Sequence, residues 1–179
     1  LDEMGRRRVQ RIGPLDGLLS VGAQWRGDRI ATVGLYDTAA RERVGTVRDD
    51  RVRQDLVSAF AQQMVSLTDT VRATAGLRGD WLQYDVRGRE PVYGPLNSGR
   101  GHDRMVSPKL GLAWNVVPSH ELYLNSGRGF HSNDVRGATI SVDPKTGEPV
   151  ERVPALVAGW GSEVGWRHQP SSHLTVRSE

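Results

Sequence analysis

The order of the connections constrains this chain more than any other feature. Segments with a two-residue hydrophobic period are separated by stretches that run long, short, long, short, long, short: 27–50, 66–69, 85–105, 118–119, 129–153 and 168–172. Consecutive antiparallel strands put alternate connections at opposite ends of a sheet. The long connections therefore share one end and the tight turns the other. Transmembrane β-barrels have this asymmetry. A soluble sandwich also alternates apolar and polar residues, but loops of about 20 residues at one end only are unusual for it.

The segments between the connections are amphipathic. Leu19, Val21, Ala23 and Trp25 alternate with Ser20, Gly22, Gln24 and Arg26. Val71, Ala73, Ala75, Leu77 and Trp81 alternate with Arg72, Thr74, Arg78 and Asp80. Leu110, Leu112, Trp114 and Val116 share a face, as do Leu122 and Leu124, and then Ala158, Trp160, Val164 and Trp166. A face this apolar opposite a face this charged suits a strand with lipid on one side and a wet interior on the other. The five Trp all lie on the apolar faces, several towards strand ends, where an interfacial girdle places them. Residues 51–66 are ambiguous by local rules. Val52, Leu56, Phe60 and Met64 recur every fourth position, as in a helix, whereas a strand would align Val57, Ala59, Ala61 and Val65. The loop order requires the strand. Residues 1–16 are basic, have no period and are expected to be irregular, leaving about seven strands in 17–179.

Composition agrees with a wet interior. Hydrophobic residues make up 37% and Phe occurs twice, which is little material for an ordinary two-layer core. The chain lacks Cys, which excludes disulfides and thiolate metal sites. Its 24 basic and 21 acidic residues are dispersed, so no nucleic-acid partner is expected. No cofactor is implied.

Three stretches carry a family resemblance. They are Ser107-Pro108-Lys109-Leu110-Gly111-Leu112-Ala113-Trp114, Glu121-Leu122-Tyr123-Leu124-Asn125, and Gly129-Phe130-His131-Ser132-Asn133-Asp134-Val135-Arg136-Gly137. Ala75-Gly76-Leu77-Arg78-Gly79-Asp80 precedes them and Glu163-Val164-Gly165-Trp166-Arg167 follows. In this order and spacing they resemble the barrel half of the TonB-dependent outer-membrane receptors of Gram-negative bacteria. The resemblance implies an all-β fold: a partial antiparallel transmembrane barrel, cut from a larger one of the 22-stranded type. It also implies an outer-membrane location and energy-coupled uptake of a scarce solute such as an iron–siderophore complex. The partners would be outer-membrane lipid, a small ligand such as a ferric chelate, and the inner-membrane TonB complex. That complex acts through a plug domain, which these residues do not supply. The chain begins at Leu1 and stops at Glu179 within a strand-like segment, so a fragment is expected.

Strand parity assigns Arg26, Arg72, Arg78, Asp80, Lys109, Glu121, Tyr123, Asn125, Glu163 and Arg167 to the lumen. Arg128, His131, Asn133, Asp134 and Arg136 are candidates for the outer mouth, where ligand arrives. Two other readings compete: an outer-membrane enzyme barrel of lipase type using His131, Ser132 and Asn133, and a soluble antiparallel binding module. Adjacent residues of an extended chain point to opposite faces, which argues against a catalytic set made from three in a row. A metal site from His102, His131 and Asp134 has less support than a plain turn, with Asn133 and Asp134 capping it through their side chains.

Overall fold

The computed structural model describes residues 2–171 and 174–178. They form eight strands: β1 (Asp2–Ile12), β2 (Leu15–Ala39), β3 (Glu42–Ser66), β4 (Val71–Gly88), β5 (Gly99–Val117), β6 (His120–Ser132), β7 (Leu156–Ser171) and β8 (Leu174–Ser178). A single short helix, α1 (Val135–Thr139), lies between β6 and β7. Each strand pairs antiparallel with its neighbours in sequence, in one open sheet ordered β1 to β8.

The connections of 89–98 and 133–155 share one end of the sheet as expected, but that end also holds a two-residue turn, and four boundaries move. Residues 27–50 are no loop. β2 and β3 pair through most of them and meet in a two-residue turn at Ala40 and Arg41. The connection between β4 and β5 shrinks to 89–98, and that between β6 and β7 is 133–155. In 168–172, β7 continues to Ser171, and position 172 lies outside the described residues. Residues 51–66 are strand, within β3. The basic N-terminal segment is not irregular: β1 pairs with β2 along its whole length, from Asp2 beside Trp25 to Ile12 beside Leu15. It raises the strand number to eight.

The turn at Ala40 and Arg41 uses positive φ at both residues, 50° and 70°. Such a two-residue hairpin matches strand twist but favours Asn-Gly, because a Cβ is strained in this region. Replacing the pair by Asn-Gly is expected to stabilise the hairpin by about 1 kcal/mol. The check is a rise in amide protection of residues 36–46.

One face of the sheet is exposed and apolar. Leu77, Trp81, Val106, Leu110, Trp114, Leu122, Leu124 and Val164 are all more than 40% exposed on it. Trp114 stands beside Val71 at the tight-turn end of β4, and Trp81 lies further along that strand. Positions 71 to 81 span about 34 Å at ~3.4 Å per residue. Tilted by ~40°, this is ~26 Å, close to the ~25 Å apolar band of a membrane barrel.

The opposite face carries polar side chains along the band and a small core beyond it. Val52, Leu82, Val86 and Met105 are buried there under Val135 and Ala155 from the 133–155 connection and Leu156 at the start of β7. That connection folds back over the sheet. Pairing between β5 and β6 ends at Lys109 and Gly127, although both strands continue. Beyond that point Phe130 packs on the core, where strict alternation from Leu122 and Leu124 would turn it outward.

Candidate functional site

The sheet places the expected lumenal residues on the face opposite the tryptophans. Arg72, Thr74, Gly76, Arg78 and Asp80 alternate on β4, and their partners on β5 include Ala113, Lys109, Ser107 and Met105. Three clusters form along this face.

The cluster nearest the tight turns centres on Glu121. Its carboxylate accepts from Arg72 of β4 and, at 3.0 Å, from Arg167 of β7. Arg167 stands over the Tyr123 ring at 5.9 Å. The same ring covers Gly165, where a Cβ would lie 2.3 Å from it. Gly165→Val must therefore displace Tyr123. A loss of about 1–3 kcal/mol is expected, as for other overpacked sites, and a urea titration of the folded barrel measures it.

The middle cluster is drier. Asp80 is 4% exposed and accepts from Ser58 at 2.6 Å and from Arg78 at 2.9 Å. Arg78 also donates to Gln24 at 2.7 Å. An arginine and a serine on the buried carboxylate supply the hydrogen bonds that burial of its charge requires. Lys109 and Glu163 differ from these residues. They face the same side but make no ion pair among the described residues. They border recesses with Asn125, which is Glu163's cross-strand partner.

The third cluster is at the long-connection end. Asp50, 1% exposed, accepts from Arg48 and lies 3.7 Å from Arg136. Arg136 also grips Asp134 at 2.6 Å, and its carbonyl accepts from Arg48 at 3.4 Å. Asp134 caps α1 by accepting from the Arg136 amide at 2.9 Å. Burial opposes ionisation of Asp134, but side-chain and backbone hydrogen bonds from Arg136 outweigh it and hold the carboxyl below its ordinary value. The same contacts push the Arg136 guanidinium up. A depressed carboxyl contributes stability above its unfolded pKa and loses it as pH falls through the folded one. The 133–155 connection should stay docked down to about pH 3.8, the ordinary value, and loosen only below it. A nitroxide on Glu148→Cys should become mobile in that acid range; mobility rising already at pH 6 would contradict the assignment.

The mouth candidates are thus only partly united. Asp134 and Arg136 join a cluster whose other members, Arg48 and Asp50, were missed because β3 there was read as a loop. Asn133 serves the turn, donating to Pro154 at 2.9 Å. Arg128 reaches the Val106 carbonyl at 3.4 Å. His131 is exposed, and no hydrogen bond joins His131, Ser132 and Asn133 among the described residues. His102 lies on the other face, 6.0 Å from the Trp81 ring, and no metal-ligating group forms among the described residues.

A further tie escaped the sequence. Asn97, 2% exposed, accepts from the Ser141 and Val142 amides at 2.9 and 3.0 Å and donates to the Val142 carbonyl at 2.9 Å. Thr139 donates to the Asn97 carbonyl at 3.0 Å. The two long connections are therefore joined. Glu90 accepts from the Val92, Tyr93 and Gly94 amides, which hold its carboxyl low and shape the 89–98 connection.

Residues 4–176 match a family model described as TonB dependent receptor-like, beta-barrel. Among solved structures, the chain is similar to the ferric citrate transporter FecA in its unliganded form, with TM-score 0.66 and 17% identity over 93% of this chain and 24% of that one. It is similar to the ferric-catecholate import receptor Fiu from E. coli K12 in its open form, with TM-score 0.61 and 11% identity over 93% of this chain and 27% of that one. The ferric yersiniabactin uptake receptor FyuA from Yersinia pestis gives TM-score 0.61 and 13% identity over 98% of this chain and 26% of that one. The chain thus spans about a quarter of the length of these structures. No curated protein matches it.

Proposed function

Because this chain belongs to the TonB-dependent receptor β-barrel family, we propose that it forms part of the wall of an outer-membrane receptor that imports a scarce solute. The observation that carries this reading is the two-faced sheet: an exposed apolar face of membrane height, backed by a face of charged residues. Only a chain with lipid on one side and a wet channel on the other needs both. Further strands complete the barrel and a plug fills it, with energy reaching the plug through the TonB complex.

The inner wall has two functions in this proposal. Glu121 with Arg72 and Arg167, and Asp80 with Arg78, use their charges on one another and brace the wall. Lys109, Glu163 and Asn125 keep polar groups available to a plug or a passing solute. A ferric chelate is the favoured cargo, supported by the cargo named for FecA, Fiu and FyuA and by a lumen carrying charges of both signs.

Cells making the full-length protein that contains this chain should accumulate radioactive iron from ferric citrate, a ferric catecholate or another ferric chelate under iron limitation. Deleting the gene, or collapsing the proton gradient, should abolish accumulation. Uptake of a chelate that survives gradient collapse would overturn the energy-coupled reading.

A further inference from the structure

On the apolar face of β2–β5, cross-strand rows change character in a fixed order. Trp25, Val57, Trp81 and Arg104 are successive partners in one row. Two residues nearer the long connections, Gly27, Asp55, Gln83 and His102 form the next. Two residues further, the row is Arg29, Arg53, Asp85 and Arg100. Arg51 and Arg87 are partners beyond it. Each step is about 7 Å, so a basic belt begins about 14 Å past the aromatic row along the strands.

The belt is unbalanced. Like charges directly opposite one another destabilise a sheet, yet Arg29 faces Arg53 and Arg51 faces Arg87. Asp55 takes Arg29 at 2.8 Å, and Asp85 is shared by Arg87 at 3.2 Å and Arg100 at 2.8 Å. The side chains of Arg51 and Arg53 in the belt, and of Arg104 in the aromatic row beside it, have no hydrogen bond or ion pair among the described residues. A groove lined by Arg29, Arg53, Asp85, Arg100 and His102 opens between the strands. The Trp25 ring leans over Gly27, where an added Cβ would stand 2.8 Å from it.

We propose that this belt binds the phosphate-bearing headgroup of an anionic lipid in the leaflet on the long-connection side. The lipid's acyl chains lie along Leu77 and Trp81, and its phosphate-bearing headgroup spans Arg53 in the belt and Arg104 in the aromatic row. Guanidinium groups pair with phosphate through two parallel hydrogen bonds, and basic residues at a membrane surface attract anionic lipid. The phosphate also relieves the opposed arginines. This inference rests on the membrane-facing reading of the apolar face.

The test uses the full-length protein, folded in detergent and mixed with bisphosphorylated lipid A, its dephosphorylated form, or inorganic phosphate. Native mass spectrometry should show bisphosphorylated lipid A retained by the wild type. Retention should fall about tenfold or more in Arg53→Gln/Arg104→Gln, whose altered side chains hold no hydrogen bond or ion pair among the described residues. Equal retention of the dephosphorylated form, or by the double variant, overturns the proposal. Displacement by millimolar inorganic phosphate reduces the belt to a simple anion site and overturns the lipid assignment. Wild type that fails to insert into vesicles overturns the membrane reading itself, whereas insertion without lipid A retention sinks only this inference.

Discussion

Leu110→Arg is expected to cost about 2–4 kcal/mol of folding stability in a bilayer, the penalty for arginine at the midplane of a barrel's lipid face. Leu110 is 63% exposed and lies beside Ala75, between the rows of Trp114 and Trp81. Lys109, one residue earlier, faces the other way. Lys109→Arg in the same strand should therefore cost little. Reversible unfolding in urea, with lipid vesicles present, reports both variants. Equal stabilities for the two would mean that the apolar face does not meet lipid. In water the order reverses: an added charge on an exposed apolar face should improve solubility, so lipid dependence is itself part of the result.

The second large effect is expected at Asp50. Removing one member of a buried ion pair leaves its partners uncompensated, typically at a cost of about 3–5 kcal/mol. Asp50→Ala strands Arg48 and loosens Arg136, both of which contact it. The damage should be local, because the strands in the apolar band hold their own hydrogen bonds. Amide exchange in residues 133–155 should accelerate by two orders of magnitude or more, since each 1.4 kcal/mol is tenfold. Exchange in 71–81 should stay unchanged. Val135→Ala should act in the same direction but less, through lost packing on Leu82 and Val86. If 133–155 exchanges at the wild-type rate in Asp50→Ala, the ionic latch does not hold the connection.

The two-faced part of the sheet was open to reading from sequence. Leu110, Leu112, Trp114 and Val116 betray their strand because apolar positions alternate with polar ones, and parity then puts Arg72, Asp80 and Glu121 on the opposite face, where the sheet register has them. Beyond the Trp25 row the signal disappears. There Ile30, Val33, Leu35, Val44 and Val47 keep no sustained two-residue period among polar residues, so residues 27–50 look like a loop although they form a ladder. β1 was hidden for a related reason: Arg6, Arg7 and Arg8 put the same charge on both faces, and no period results. The Asp50 and Asn97 latches join Arg136 to Asp50 and Val142 to Asn97, residues 86 and 45 apart in sequence, which no local pattern records. His131-Ser132-Asn133 misled in the opposite sense, since residue types that invite chemistry belong here to the end of a strand and its turn.

The strictly sequential pairing has a consequence for assembly. Every strand finds its partner within one hairpin, so no chain crossing precedes any contact, and the wall can grow one hairpin at a time. Loop-closure entropy stays small at each step. A wall built this way can change circumference over evolutionary time by duplicating or losing a hairpin, with the register of the remaining strands untouched.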